Sequence, residues 1–324
     1  MVEINSPEYV LALDFGGTKL AAAVVDTKTG KTTALTRKST PVRQGAEATL
    51  NTMIEVGWEA LEGCGIKDQI TRVGISFGGP VNKVRTTVLH SHHVSEWDGI
   101  VLTERITNIF DIPAFMENDA NAGAFGEWYF GAGERAENMI YIQVSTGVGA
   151  GVILNHQLYR GEALAGEFGH ITVLPNGPTC VCGKSGCVES LCSGWAIARD
   201  GKEAFEHVAL SSPLWRLSEG KKENIKASTV IDAYREGDLL AKTILDQSFT
   251  NLGIGIANII CLFDPEIVVI GGGIARAKDV MLEFLEPALD NYVHHLFKNR
   301  YRLKFSELDG QETLLGAALL ARLG

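Results

Sequence analysis

Asp14-Phe15-Gly16-Gly17-Thr18-Lys19 lies between two apolar runs, Tyr9 to Leu13 and Leu20 to Val25. Short apolar runs on either side of a glycine turn read as paired, buried strands. The arrangement recurs downstream. Met139 to Val144 is largely apolar, Ser145-Thr146-Gly147-Val148-Gly149-Ala150-Gly151 follows, and Val152-Ile153-Leu154 closes a second hairpin. We read the pair as a diverged internal duplication.

Strands and helices alternate around these two hairpins. Residues 46–62 carry apolar residues at helical spacing (Ala46, Leu50, Met53, Ile54, Val56, Gly57, Ala60 and Leu61). Val73 to Phe77 reads as a strand ending at Gly78-Gly79-Pro80, and Leu102 to Phe110 as a helix. Pro113 to Met116 is a short strand ending at Glu117-Asn118-Asp119, and Asn121 to Phe130 suits a helix. Leu252 to Phe263 is an apolar helix stopped by Asp264-Pro265. Glu266 to Ile270 is a strand ending in Gly271-Gly272-Gly273, and Thr313 to Leu323 is a small-residue helix. Such alternation implies an α/β fold with ligands at the carboxyl ends of strands. Two cycles imply two lobes with a cleft between them. The boundary is expected near Asp119, with residues 1–118 as the smaller lobe and 119–309 as the larger. A return of the last helix, about 310–324, to the first lobe is a further expectation that pattern alone does not supply.

The 324 residues suit two domains, and 45% hydrophobic with 21% charged residues is a globular balance, not a disordered one. Glycine is abundant, 36 against 9 Pro, which suits turns and ligand loops. A net charge of −10 without a long basic run disfavours nucleic acid as a partner. No stretch reaches the ~18 apolar residues of a membrane span, and Met1 to Pro7 shows no secretory pattern. The expected location is the cytoplasm.

Three strands end in glycine turns: Gly16-Gly17-Thr18, Ser145-Thr146-Gly147 and Gly271-Gly272-Gly273. Backbone N–H groups of such turns can donate to phosphate oxygens that no side chain obstructs. Thr18 and Thr146 offer hydroxyls, and a carboxylate at Asp14 suits a nearby Mg²⁺. One such turn alone reads slightly better as a tight hairpin; three at strand ends favour a nucleotide. Neither a P-loop nor a Gly-x-Gly-x-x-Gly fingerprint is present.

His170, Cys180, Cys182 and Cys187 form His-x9-Cys-x-Cys-x4-Cys, with Gly177, Gly183 and Gly186 permitting sharp turns. Cys₃His is a closed, structural Zn²⁺ set that leaves no position to activate water. Free cysteines beside a core histidine, or a disulfide, are the alternatives, and pairing within Cys-x-Cys is geometrically poor. Glu167 and Glu189 flank the loop. They read either as acceptors for the hydroxyls of a polyol or as solvated surface glutamates.

Taken together, Asp14 to Lys19, Glu117-Asn118-Asp119-Ala120-Asn121-Ala122, Ser145 to Gly149, and Gly166-Glu167-Phe168-Gly169-His170 through Cys187 resemble the ROK family of repressors, open reading frames and sugar kinases. The resemblance runs from about Val10 to the final helix. It implies an actin-like ATPase (ribonuclease H-like) fold, with MgATP in the cleft and a hexose at its base. By the family pattern Asp119 is the catalytic base, and Asn118, Glu167, His170 and Glu189 bind sugar hydroxyls with help from Gly79 and Asn82. The nucleotide side is Gly16, Gly17, Thr18 and Lys19, then Thr146 and Gly147, with Gly272 near the adenosine. Ser95-Glu96-Trp97-Asp98-Gly99 occupies the place of an Asn-x-x-x-Trp-like stretch, and Ser95 replaces the more usual polar residue. Homodimers or higher homo-oligomers are common in the family.

Phosphoryl transfer needs alignment, charge neutralisation and a destination for the hydroxyl proton. Asp119 at a strand end can accept that proton; its alternative role is to cap the helix starting near Ala120. The expectation is an ATP-dependent hexose kinase, glucose being the first candidate substrate and N-acetylmannosamine or another hexose the second. A sugar-responsive repressor would carry a DNA-binding module ahead of the first strand, and nine residues before Val10 are too few for one.

Overall fold

A computed structural model describes residues 8–91 and 94–324. Met1 to Pro7, on which the reading of the N-terminus was made, lie outside the described residues. The first part of the chain forms β1 (Tyr9–Phe15), β2 (Lys19–Asp26), β3 (Thr32–Ser39), α1 (Gly45–Gly63), β4 (Ile70–Phe77), α2 (Leu102–Phe110), β5 (Ala114–Asn118) and α3 (Asp119–Phe130). Next come β6 (Met139–Val144), β7 (Val148–Leu154), β8 (Gln157–Tyr159), α4 (Val188–Cys192) and α5 (Gly194–Ala204). The remainder is α6 (Pro213–Leu217), α7 (Ala227–Arg235), α8 (Leu239–Phe263), β9 (Ile267–Gly271), α9 (Lys278–Tyr292), β10 (Arg302–Phe305) and α10 (Glu312–Leu323).

The strands make two five-stranded sheets, ordered β3-β2-β1-β4-β5 and β10-β9-β6-β7-β8. Read from the other edge, the second has the order of the first: β6 stands where β1 does, β7 where β2 does and β9 where β4 does. The directions agree where both are seen. β2–β3 and β7–β8 are antiparallel, and β4–β5 and β9–β10 are parallel. The duplication read from the two glycine hairpins is thus carried by strand order as well.

The chain divides into two compact units. One takes in residues up to Tyr141, Ala150–Gly166 and Ser306–Gly324; the other is Ile142–Gly149 with Glu167–Phe305. The first extends past Asp119 and keeps α3, because α3 and α10 pack backbone to backbone. A Cβ on Gly126 would stand 2.2 Å from the carbonyl oxygen of Glu312, and one on Gly316 would stand 1.7 Å from that of Ala122.

Side chains alternate across a strand, so β1 and β2 feed two separate cores. Leu11, Leu13, Leu20, Ala22 and Val24 meet Leu50, Met53, Val56 and Ala60 of α1. Val10, Ala12, Ala21, Ala23 and Val25 meet Leu314, Leu315, Ala318 and Ala321 of α10. The sheet is covered on both faces, which is why β1 and β2 read as unbroken apolar runs. Among the described residues no helix is long and apolar enough to cross a membrane.

Candidate active site

Three parallel strands bring the first group of site residues abreast. Asp14 of β1 registers with Ser76 of β4, and Ser76 registers with Glu117 of β5. One step further, Phe15, Phe77 and Asn118 stand side by side. The carboxyl ends of the three strands therefore deliver Gly16, Gly78 and Asp119 to one edge of the sheet, where an α/β sheet presents its ligand site.

The turn after β1 is fastened at several points. Gly16 N–H donates to the Lys19 carbonyl at 3.1 Å, Thr40 Oγ1 donates to the Gly16 carbonyl at 2.7 Å, and Thr40 N–H donates to the Thr18 carbonyl at 3.1 Å. A Cβ on Gly16 would meet the Lys19 carbonyl oxygen at 2.7 Å, so the tight turn requires glycine there. Gly17 is half-buried, and Thr18 and Lys19 are exposed. Asp14 is held below the turn. Ser76 Oγ donates to its Oδ1 at 2.7 Å, and the Thr313 side chain donates as well. Burial raises its carboxyl to about 6, against the two hydrogen bonds that lower it. At neutral pH the group is therefore mainly ionised, as an acceptor for Mg²⁺ or its waters must be.

Asn118 and Asp119 occupy the β5–α3 junction. Asn118 Oδ1 accepts the N–H of Asn121, so Asn118, not Asp119, is the cap of α3. Its Nδ2 donates to the Gly79 carbonyl at 3.1 Å and to Asp119 Oδ1 at 3.2 Å. Asp119 is the first helical residue; Oδ1 also accepts the Ala120 N–H at 2.9 Å, while Oδ2 lies 3.7 Å from where a Cβ on Gly78 would stand. Asn82 closes its own loop. Its Oδ1 accepts the N–H groups of Thr86 and Thr87 at 2.8 and 3.2 Å, and its Nδ2 donates to Thr86 Oγ1 at 3.3 Å. Gly79 packs under the His90 carbonyl, 2.6 Å from the place of a Cβ.

In the second unit, the turn after β6 is tied to the start of α5. Gly194 N–H donates to the Ser145 carbonyl at 2.8 Å and Trp195 N–H to the Thr146 carbonyl at 3.3 Å. Ser193 caps that helix through the Ala196 N–H. Thr146 and Gly147 remain half-buried. Gly272, with φ +89°, packs 2.5 Å (from the place of its Cβ) from the Val144 carbonyl, so β9 ends against the same turn. Glu189, in the first turn of α4, accepts the Val148 N–H on Oε2 at 3.0 Å. Gly169 approaches Val148 so closely that a Cβ would stand 2.0 Å from its carbonyl oxygen. Val148 thus joins the 145–147 turn, Glu189 and the segment Glu167–His170.

His170, Cys180, Cys182 and Cys187 bring one ligand atom each to within 4.8 Å of one another. His170 Nδ1 lies 3.6 Å from Cys180 Sγ, and Cys182 Sγ lies 3.7 Å from Cys187 Sγ. A tetrahedron with Zn–S near 2.3 Å and Zn–N near 2.05 Å has edges of about 3.8 Å between sulfurs and about 3.6 Å between sulfur and nitrogen. No disulfide joins these cysteines in this structure. Burial pushes the Cys180 thiol up to about 12. Crowded thiols of this kind ionise readily when they share a dication. The donor set and its spacing fit Zn²⁺; Nδ1 of His170 lies on the side of the thiols, and Nε2 is 3.8 Å from Glu167 Oε2. Packing pushes the Glu167 carboxyl up, His170 opposes this and Glu189 adds to it.

Ser76, Thr313 and Arg160 carry no motif in the sequence, and Glu117 stands in the quoted motif without an assigned role. Ser76 and Thr313 bond Asp14, and Arg160 Nε meets Glu117 Oε2 at 2.7 Å. The signal for Glu117 is its place in that motif, as an acidic residue closing the otherwise apolar run before Asn118.

Two mixed five-stranded sheets of matching order, each with glycine turns at strand ends, give the chain the actin-like ATPase fold, a two-lobe class. The chain belongs to the ROK family, whose pattern it matches over residues 10–323. It is 32% identical over 314 residues to a glucokinase of Thermotoga maritima, covering 97% of each chain. It is 33% identical over 318 residues to an N-acetylmannosamine kinase of Yersinia pseudotuberculosis, covering 96% of this chain and 98% of that one. Among solved structures, a ROK family glucokinase from Streptomyces griseus in complex with glucose and AMPPNP superposes with a TM-score of 0.86 at 32% identity, over 98% of this chain and 100% of that one.

Proposed function

We propose that the chain is an ATP-dependent hexose kinase that transfers the γ-phosphate to a sugar hydroxyl, with glucose 6-phosphate from glucose as the leading reaction. The observation that carries this reading is the setting of Asp119. A half-buried carboxylate at the carboxyl end of β5 has one oxygen fixed by Ala120 and Asn118 and lies beside Gly78. A general base needs a fixed orientation of this kind. Asp119 takes the proton of the attacking hydroxyl. The N–H groups of the turns at Gly16-Gly17 and Thr146-Gly147, with Lys19, Thr18 and Gly272, hold the nucleotide. Asp14 is the residue that would hold Mg²⁺, which when bound neutralises phosphate charge. Asn118, Glu167, His170, Glu189, Gly79 and Asn82 bind the sugar; the amides of Asn118 and Asn82 do so while also closing their own turns. The Cys₃His set would hold Zn²⁺, whose contribution is to fix the loop that orients His170.

The glucokinase and N-acetylmannosamine kinase relatives are similar to this chain at 32% and 33% identity, so the second sugar stays as the competing substrate. A panel of hexoses and N-acetylhexosamines assayed for ATP-dependent phosphorylation decides between them. Glucose with the highest kcat/KM supports the leading reaction. Sugar binding without turnover on any member would make the chain a sensor and overturn the kinase reading.

A further inference from the structure

Glu117 directly precedes Asn118 and Asp119, and it is 2% exposed. Burying a carboxylate is costly unless its lone pairs are satisfied and its charge is matched. Here both are. Oε1 accepts the Asn118 N–H at 3.2 Å and Asn121 Nδ2 at 3.1 Å. Oε2 accepts Arg160 Nε at 2.7 Å and lies 4.0 Å from Arg85 Nε. Arg160 follows β8, 43 residues along the chain, and its side chain is 30% exposed.

Two of these contacts lie at the root of the candidate base. The Asn118 N–H lies on the Glu117–Asn118 peptide, one residue before Asp119. The Asn118 side chain bonds Asp119 Oδ1, and Asn121 sits in the first turn of the same helix. Loss of the Glu117–Arg160 pair would free the β5–α3 junction to shift, and Asp119 with it. Arg85, with φ +57°, belongs to the loop that Asn82 closes, so the same carboxylate also faces a second segment of the sugar side.

We infer that Glu117, clamped by Arg160, is a positioning residue for Asp119; the inference rests on the kinase reading given above. A bond-forming geometry displaced by about 1 Å loses on the order of 10²-fold in rate. Glu117→Gln preserves shape and can still accept on one oxygen, but it leaves Arg160 without its counter-charge.

The test uses the full-length protein with ATP and its best sugar. For Glu117→Gln and for Arg160→Met, kcat is expected to fall by ~10²-fold while KM for ATP and sugar stays within about threefold. Arg160→Lys keeps the charge without the planar fork and is expected to recover part of the loss. The double variant Glu117→Gln/Arg160→Met is expected to lose less than the two single losses multiplied, because neither charge is then stranded. Circular dichroism and calorimetric sugar binding give the folded, binding-competent fraction by which each kcat is divided. A corrected kcat equal to wild type in both single variants overturns the positioning role, as does Arg160→Lys no better than Arg160→Met. A wild-type protein that phosphorylates no hexose overturns the kinase reading, and the positioning role with it.

Discussion

Oδ1 of Asp119 accepts the N–H of Ala120 at 2.9 Å and the Asn118 amide at 3.2 Å, while capping of α3 falls to Asn118. The two roles assigned to the Asn-Asp pair are thereby separated between neighbours, and substitution can tell them apart. Asp119→Asn keeps the shape and an acceptor for Ala120 but removes the base. Its turnover is expected to fall by ~10²–10⁴-fold with sugar binding largely retained, as steady-state kinetics and calorimetry would show. Asn118→Ala should instead destabilise the helix start by about 1 kcal/mol, read from urea unfolding. Near-normal turnover in Asp119→Asn would remove that residue from the chemistry.

One helix contact owes its placement to very small residues, and one loop carries four residues that would hold a metal. The α3–α10 contact closes at Gly126 and Gly316, where a Cβ would lie 2.2 and 1.7 Å from backbone carbonyl oxygens. A backbone atom cannot swing aside as a long side chain can, so Gly316→Ala must separate the helices. We expect it to cost about 3 kcal/mol, the upper part of the usual overpacking range, in chemical unfolding. The loop from His170 to Cys187 depends on its four ligands. Cys182→Ala should release zinc, measured by elemental analysis, and raise the sugar KM sharply by loosening His170 and Glu189. Native protein without zinc would contradict this account of the loop. Some elements escaped reading for related reasons. β3 is a half-exposed polar strand and β8 and β10 are three and four residues long, too short for periodicity to register. α8 begins at Leu239, ahead of the expected start at Leu252, because Asp238 accepts the N–H groups of Leu240 and Ala241 as its cap.

Across the whole molecule, stability carries a pH signature from buried acids. Glu127 has its carboxyl raised from 4.5 to about 7 by burial, although Ser306 and the Ala132 N–H oppose this. A carboxyl whose folded value is raised holds its proton more tightly folded than unfolded. Its contribution is therefore complete below 4.5 and is lost as pH rises through about 7. The rise corresponds to on the order of 3 kcal/mol. Glu127→Gln, which stays neutral, should flatten the loss of stability between pH 5 and 8 (about the window of that titration). Unfolding curves of the two proteins that run parallel over that window would refute the assignment.

The amino-acid sequence by itself determined what short-range spacing encodes. Apolar runs flanking glycines specified the two hairpins, and His-x9-Cys-x-Cys-x4-Cys specified the ligand set, because turns and close ligands are made by residues near one another in the chain. Tertiary structure alone decided which distant residues meet. Strand register set Asp14 beside Ser76, helix packing set Gly316 against Ala122, and a buried charge drew Arg160 to Glu117 across 43 residues. No local pattern encodes such pairs, since they form only when packed elements bring together residues far apart in the chain.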